Sequence, residues 1–206
     1  MTSEVASAPI LRAIWPGSAE EIDLAPIEGH WTAEQYLLLT YSTNKLIEFT
    51  DGYIEVLPMP TKYHQAISKR LFLALLLIMQ RIGGDVFYAP LRLQVRPGKF
   101  REPDLLLVLD KDDSRAQNEF WMGADLVMEI VSPDNPERDT VEKVADYAEA
   151  GIPEYWIVNP LDQTITVLAL AEGVYLAHGI FGRGEQAASL LLAGFSVAVD
   201  AVFEAQ

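Results

Sequence analysis

Asp104, Glu129 and Lys143 are the residues of this chain whose types and spacing fit phosphate chemistry. Asp104 stands in Arg101-Glu102-Pro103-Asp104-Leu105-Leu106-Leu107, and Glu129 in Leu126-Val127-Met128-Glu129-Ile130-Val131-Ser132-Pro133. Each carboxylate interrupts an apolar run that reads as a buried strand. A buried charge is costly unless it is paired or bound to a metal. Two such carboxylates at strand ends marked by Pro therefore fit one divalent-metal site. Hydrolysis of a phosphodiester needs an activated water and relief of negative charge on the phosphoryl and leaving oxygens. A hard cation held by carboxylates does both, and a nearby ammonium such as Lys143 stabilises developing charge. Lys143 also stands four residues after Asp139, a spacing that by itself fits a surface ion pair.

The surrounding pattern predicts the elements that position these groups. Thr32 to Tyr41 reads as a short helix, with Thr32 as cap and Gln35 completing a capping box. Lys45 to Leu57 reads as a hairpin turning at Asp51-Gly52. Lys62 to Ile82 reads as a long helix stopped by Gly83-Gly84. Its second half is apolar all round, which predicts cover on two sides: the sheet on one, and the N-terminal arm or a second subunit on the other. Val86 to Val95 reads as two short strands broken at Pro90. Leu105–Leu109 and Leu126–Val131 are continuous apolar runs, as central strands covered on both faces require. Asp139 to Ala150 reads as a helix capped by Asp139 and stopped by Gly151, with Val141, Val144, Ala145 and Ala148 as its core stripe. Glu154–Val158 is a further buried strand, and Thr164–Leu170 with Val174–Ala177 form a hairpin across Glu172-Gly173. The order predicts an α/β fold with a mixed central β-sheet flanked by helices. Residues 1–30 read as an extended arm and 31–206 as a single domain.

Composition bounds the function. The chain has 206 residues, half of them hydrophobic, no Cys and a formal net charge of −15. That length buries a substantial core. The absence of Cys excludes thiolate metal sites and disulfides. The longest apolar run, Leu71–Met79, is too short to span a bilayer, and no basic n-region marks a signal peptide, so the simplest expectation is a cytoplasmic protein. The acidic balance runs against nucleic-acid binding. Between residues 62 and 101, however, Lys62, Lys69, Arg70, Arg81, Arg92, Arg96, Lys99 and Arg101 face a single acid, Asp85. That local excess predicts a phosphate-facing patch.

These residues resemble a known family. The chain is similar, from about Trp31 to Phe203, to the Uma-type restriction-endonuclease family, a branch of the PD-(D/E)XK nuclease superfamily. The carrying segments are Ile47-Glu48-Phe49-Thr50-Asp51-Gly52, Pro60 through His64-Gln65, Ala89-Pro90, Pro103-Asp104, Glu129-Ile130-Val131-Ser132-Pro133, and Arg138-Asp139 through Lys143 and Tyr147 to Trp156. The resemblance implies a restriction-endonuclease-like core. It implies Asp104 and Glu129 as metal ligands, Glu48 as an acidic residue beside the metal, and Lys143 as the catalytic lysine. The superfamily pattern places that lysine two residues after the second acid, where this chain has Val131; the family's helix lysine stands in for it. His64 and Gln65 match a His-Gln pair at the start of the long helix and are possible accessory residues.

The resulting expectation is a Mg²⁺- or Mn²⁺-dependent phosphodiesterase, a DNA endonuclease acting as a homodimer. The alternatives are a catalytically inactive module on the same fold, used for binding, and a hydrolase of a small phosphorylated substrate. Glu48, Asp104 and Glu129 crowded in one cleft predict at least one carboxyl with a raised pKa.

Overall fold

The computed structural model describes residues 12–14, 21–23, 27–43 and 45–205. The chain divides into two compact units, Met1–Met59 and Pro60–Gln206. Most of the expected N-terminal arm lies outside the described residues. Within it, Arg12–Ile14 (β1) pairs antiparallel with Glu21–Asp23 (β2).

In the first unit, Ala33–Tyr41 (α1) begins at Thr32, whose hydroxyl accepts from the Gln35 amide while the Gln35 side chain accepts from the Thr32 amide. This reciprocal pair satisfies two of the amides that a helix start leaves without partners. Ile47–Thr50 (β3) and Tyr53–Val56 (β4) form the hairpin. Its turn needs left-handed backbone, and Asp51 and Gly52 supply it at φ 46° and 93°. Tyr36 fastens α1 to β3. Its ring stacks on Phe49 at 5.3 Å, and its hydroxyl donates to the Ile47 carbonyl at 2.9 Å.

The second unit is built on a six-stranded sheet. Lys62–Ile82 (α2) is followed by Asp85–Tyr88 (β5), Leu93–Arg96 (β6), Lys99–Arg101 (β7), Leu105–Val108 (β8) and Leu126–Ile130 (β9). After a π-helical turn at Arg138–Glu142 come Lys143–Glu149 (α3), Glu154–Asn159 (β10), Thr164–Ala171 (β11) and Val174–Phe181 (β12). Gln186–Ala188 (β13), Ser196–Ala198 (β14) and Val199–Phe203 (α4) complete the unit. The sheet order is β12-β11-β10-β9-β8-β5. Only the β9–β10 pair is parallel; the other pairs are antiparallel. A parallel pair needs a crossover, and the segment carrying α3 makes it.

Strand alternation divides the core into two layers. Leu105, Leu107, Leu126, Met128 and Ile130 pack with Ile67, Leu71, Leu75 and Met79 of α2. Leu106, Val108, Val127, Val131, Tyr155 and Ile157 pack with Tyr147 and Ile152 on the opposite face. β8 and β9 are buried along their whole length, as their unbroken apolar runs require.

Three sequence expectations change. The far side of α2 meets the C-terminal segment: Val197, Val199, Val202 and Phe203 join the α2 core layer, and the Tyr63 hydroxyl donates to the Phe203 carbonyl at 2.8 Å. Asp139 does not cap a helix; it is buried inside the π-helical turn. The α3 segment is also rotated from its expected stripe. Val141 is 61% exposed, while Lys143, Asp146 and Tyr147 are buried with Arg138 and Asp139. The most polar face of this segment points inward because Glu129 lies beneath it. Replacing exposed Val141 by Ser is therefore expected to change stability by no more than about 0.5 kcal/mol. Tyr147→Ala should cost on the order of 3 kcal/mol. Urea denaturation reads both, and equal losses would show that the exposed and buried faces are assigned wrongly.

Candidate active site

Glu129 points to the face of the sheet that it shares with Val127 and Val131, the face α3 covers. In the β8–β9 ladder Leu105 stands opposite Met128 and Leu106 opposite Val127. One step outward, the same register sets Asp104 opposite Glu129, and facing residues in such a ladder bring their side chains together. The hydrogen bonds agree. The Asp104 amide donates to Glu129 Oε2 at 3.4 Å, and the Ile130 amide donates to Asp104 Oδ2 at 2.8 Å.

Lys143 reaches Glu129 from the crossover. Its Nζ donates to Glu129 Oε1 at 2.9 Å and lies 3.2 Å from Asp139 Oδ1, with the lysine side chain only 3% exposed. The i,i+4 pair with Asp139 exists, but it is buried and shared with Glu129. Tyr147, one turn further along, donates its hydroxyl to the same Oε1 in a short hydrogen bond. The Tyr155 hydroxyl donates to the Asp139 carbonyl at 2.7 Å and fixes the π-helical turn.

His64 approaches from α2, with Nε2 3.2 Å from Asp104 Oδ2. The backbone amide of His64 is the one received by the Thr61 cap hydroxyl at 3.1 Å, so the side chain is free to serve the site. Its Nδ1 is buried without a hydrogen-bond partner. Gln65 is exposed on the next position. Glu48 is buried on β3, opposite Glu55, in the first unit.

Burial pushes the Glu129 carboxyl up to about 8. Lys143 pulls it down, while Asp104 and Asp139 push it up further. A raised carboxyl pKa was expected from crowded charge; loss of solvent is the larger cause. For His64 burial opposes protonation, yet the Asp104 carboxylate outweighs it, and the imidazole pKa lies above its usual value.

The donor set fits a hard cation. Asp104 uses Oδ2 for its contacts with Ile130 and His64, and Glu129 uses Oε1 for Lys143 and Tyr147. Among the described residues Asp104 Oδ1 is left toward a ligand, and Glu129 Oε2 accepts only the long bond from the Asp104 amide. No group of three or more His, Asp or Glu among them forms a metal cage. Magnesium commonly needs only one or two carboxylates, with water and substrate phosphate completing its shell.

The expected basic patch is partly consumed in holding α3. Asp146 accepts from Lys99 Nζ at 2.6 Å and from Arg101 at 2.8 and 2.7 Å, and Arg96 pairs with Glu149 at 3.0 Å. These ties join the β6–β7 hairpin to α3 and fix the helix that carries Lys143. Sequence reasoning assigned no role to Tyr147, Asp146 or this hairpin. The signal was present as the basic residues Arg96, Lys99 and Arg101 followed by the acids Asp146 and Glu149, which stand seven residues after Asp139 and Glu142.

Comparison with known proteins gives the family and the fold. The family model described as "Putative restriction endonuclease" (Uma2) matches residues 33–200. The chain belongs to this family. A solved structure from Anabaena variabilis, described as "a putative nuclease belonging to DUF820", superposes with a TM-score of 0.66 at 18% identity. The match covers 81% of this chain and 96% of that one. At that identity it establishes the shared fold. No curated protein gives a significant match. Among the described residues no helix is long and apolar enough to cross a membrane.

The raised pKa of Glu129 gives a pH signature in metal-free buffer. The native carboxyl holds its proton more tightly than an unfolded one, whose pKa is near 4.5. Ionisation therefore costs stability. The cost is absent below about pH 4.5, grows as pH rises toward about 8 and is complete above it. His64 acts in the same sense: its pairing stabilises below its usual pKa of 6.5 and is lost above its raised one. Glu129→Gln should lose stability less steeply than the unsubstituted protein between pH 5 and 8 in EDTA, by roughly the slope of one proton. Parallel melting curves across that range would remove the basis for a perturbed Glu129.

Proposed function

We propose that this Uma2 protein hydrolyses phosphodiester bonds in DNA as a Mg²⁺- or Mn²⁺-dependent endonuclease. The observation that carries the reading is Asp104 opposite Glu129 at the end of two central strands, with the buried Lys143 ammonium on Glu129. Asp104 and Glu129 would hold the ion, with His64 and Gln65 as accessory groups. A divalent cation bound there would neutralise phosphoryl oxygens and activate water.

The chain's own groups have distinct tasks. Lys143 stabilises negative charge developing on the phosphate, more effectively for being desolvated than it would be in water. Asp139 holds Lys143 from the other side, and Tyr147 holds Glu129, so neither reacting group is free to turn away. His64 keeps the Asp104 carboxylate turned toward α2 until a ligand competes for it.

Supercoiled plasmid incubated with Mg²⁺ or Mn²⁺ tests the proposal. The unsubstituted protein should nick or linearise it. Asp104→Ala should abolish cleavage, and Lys143→Ala should slow it by roughly 10²–10³-fold, the scale for loss of one charge-stabilising donor. Intact plasmid with either metal, or undiminished cleavage by Asp104→Ala, would refute it. A steep loss of affinity with salt separates a polynucleotide substrate from a small phosphorylated one.

The same proposal includes a homodimer, because cutting two strands suits two symmetric subunits. Leu77 on α2 remains 67% exposed, an apolar side chain available for such a contact. Light scattering at micromolar concentration should give twice the monomer mass of 22.9 kDa, and a monomer mass would exclude the dimer.

A further inference from the structure

Beside the candidate site lies a groove of about 590 Å³ between α2 and β5. Lys62, Gln65, Ser68, Lys69 and Phe72 line it from the helix, and Tyr88 lines it from β5. Its position is fixed relative to Asp104 from two directions. Gln65 follows His64, which holds the Asp104 carboxylate. Tyr88 stands opposite Leu105 in the β5–β8 ladder, and the next amide, that of Ala89, donates to the Asp104 carbonyl at 3.1 Å. A chain lying in the groove therefore leads to Asp104.

The lining has the chemistry of a nucleic-acid strand in two respects. First, Lys62 and Lys69 are exposed and, among the described residues, have no acidic partner. Arg96, Lys99 and Arg101 are by contrast neutralised by Asp146 and Glu149. The two lysines lie two turns apart on one helix face, about 10.5 Å along its axis. In a chain of net charge −15, a pair of uncompensated ammonium groups over a groove favours an anionic occupant. Second, the aromatic wall is accessible. Tyr88 is 60% exposed, and its ring is held edge-on to Phe72 at 5.0 Å. A positioned, exposed ring beside a cationic helix face is a stacking surface for a base. A base inside a duplex has no free face to offer it.

We propose that this groove binds single-stranded nucleic acid, with Lys62 and Lys69 on its phosphates and Tyr88 stacked on an unpaired base, and that it delivers the strand to Asp104. This deepens the nuclease reading by making an unpaired or locally opened strand the substrate class. It rests on that reading only for the direction of delivery, since binding in the groove is measurable without cleavage.

The test is fluorescence anisotropy in EDTA, with one labelled sequence presented as single-stranded DNA, single-stranded RNA or duplex DNA. Either single strand should bind more tightly than the duplex, and the two single strands separate the DNA and RNA sources of the same chemistry. Tyr88→Ala should weaken single-strand binding on the order of tenfold, and Tyr88→Phe should retain it. Lys62→Ala with Lys69→Ala should flatten the dependence of log affinity on log salt by about 1.4, at roughly 0.7 per phosphate contact for single strands. All four substitutions are at exposed positions, and unchanged melting temperatures would exclude misfolding. Duplex binding as tight as single-strand binding, absence of binding, or variants that bind as the unsubstituted protein does would each overturn the groove. Cleavage assays with Asp104→Ala distinguish the two readings. Asp104-dependent cleavage with unaffected groove variants removes the groove alone. Groove-dependent binding without Asp104-dependent cleavage removes the nuclease alone.

Discussion

A carboxylate in the interior of a covered strand must be compensated where it stands, and Glu129 is compensated almost wholly by one segment. Lys143 and Tyr147 share its Oε1, Asp139 holds Lys143, and Tyr155 anchors the Asp139 backbone. Removing any of these partners would leave a charge or a donor stranded in a dry layer, which is far more costly than losing a surface pair. The crossover between β9 and β10 is therefore constrained electrostatically as well as by packing. Its π-helical turn brings Asp139 and Lys143 to the same inner face, together with Tyr147.

That constraint extends outward in a second layer of charge. Asp146 lies on the inner face of α3 next to Tyr147 and is balanced by Lys99 and Arg101 from the β6–β7 hairpin. The basic residues in this part of the chain thus serve two purposes. Those on the hairpin neutralise the acids of α3 and hold the lysine-bearing helix in place. Lys62 and Lys69 on α2 are left facing a groove. The net charge of a chain and the charge its site presents are separate quantities, which is why an acidic protein can still offer cations to a polyanion.

Glu129 and His64 both carry raised pKa values, and the causes differ. Glu129 is shifted mainly because solvent is absent, whereas His64 is shifted because the neighbouring Asp104 overcomes its burial. Asp104 lies between them at the more open edge, partly exposed and touched from both helices' sides of the sheet. A ligand entering at that edge meets Asp104 first and the buried Glu129–Lys143 pair behind it.

Much of the fold was legible in local pattern. The capping box at Thr32, the Asp51-Gly52 turn and the glycine stop at Gly83 are encoded within a few residues, and their backbone demands are local. The unbroken apolar runs at β8 and β9 announced central strands, and the lone acids Asp104 and Glu129 stood out at them; the β8–β9 register sets these two opposite each other. The Uma-type motifs named the family across most of the chain. The inward face of α3 was not legible, because hydrophobic periodicity assumes that apolar residues choose the buried side. Here Glu129, distant in sequence, made Lys143, Asp146 and Tyr147 the more favourable residues to bury and left Val141 in solvent. The short C-terminal strands and α4 escaped for a related reason: they form against α2, and three- to five-residue elements have little local signal. The sequence by itself determined which residues are chemically conspicuous and which segments are regular. The tertiary structure alone decided which charges neutralise one another, because that depends on distances across the sheet that no spacing along the chain records.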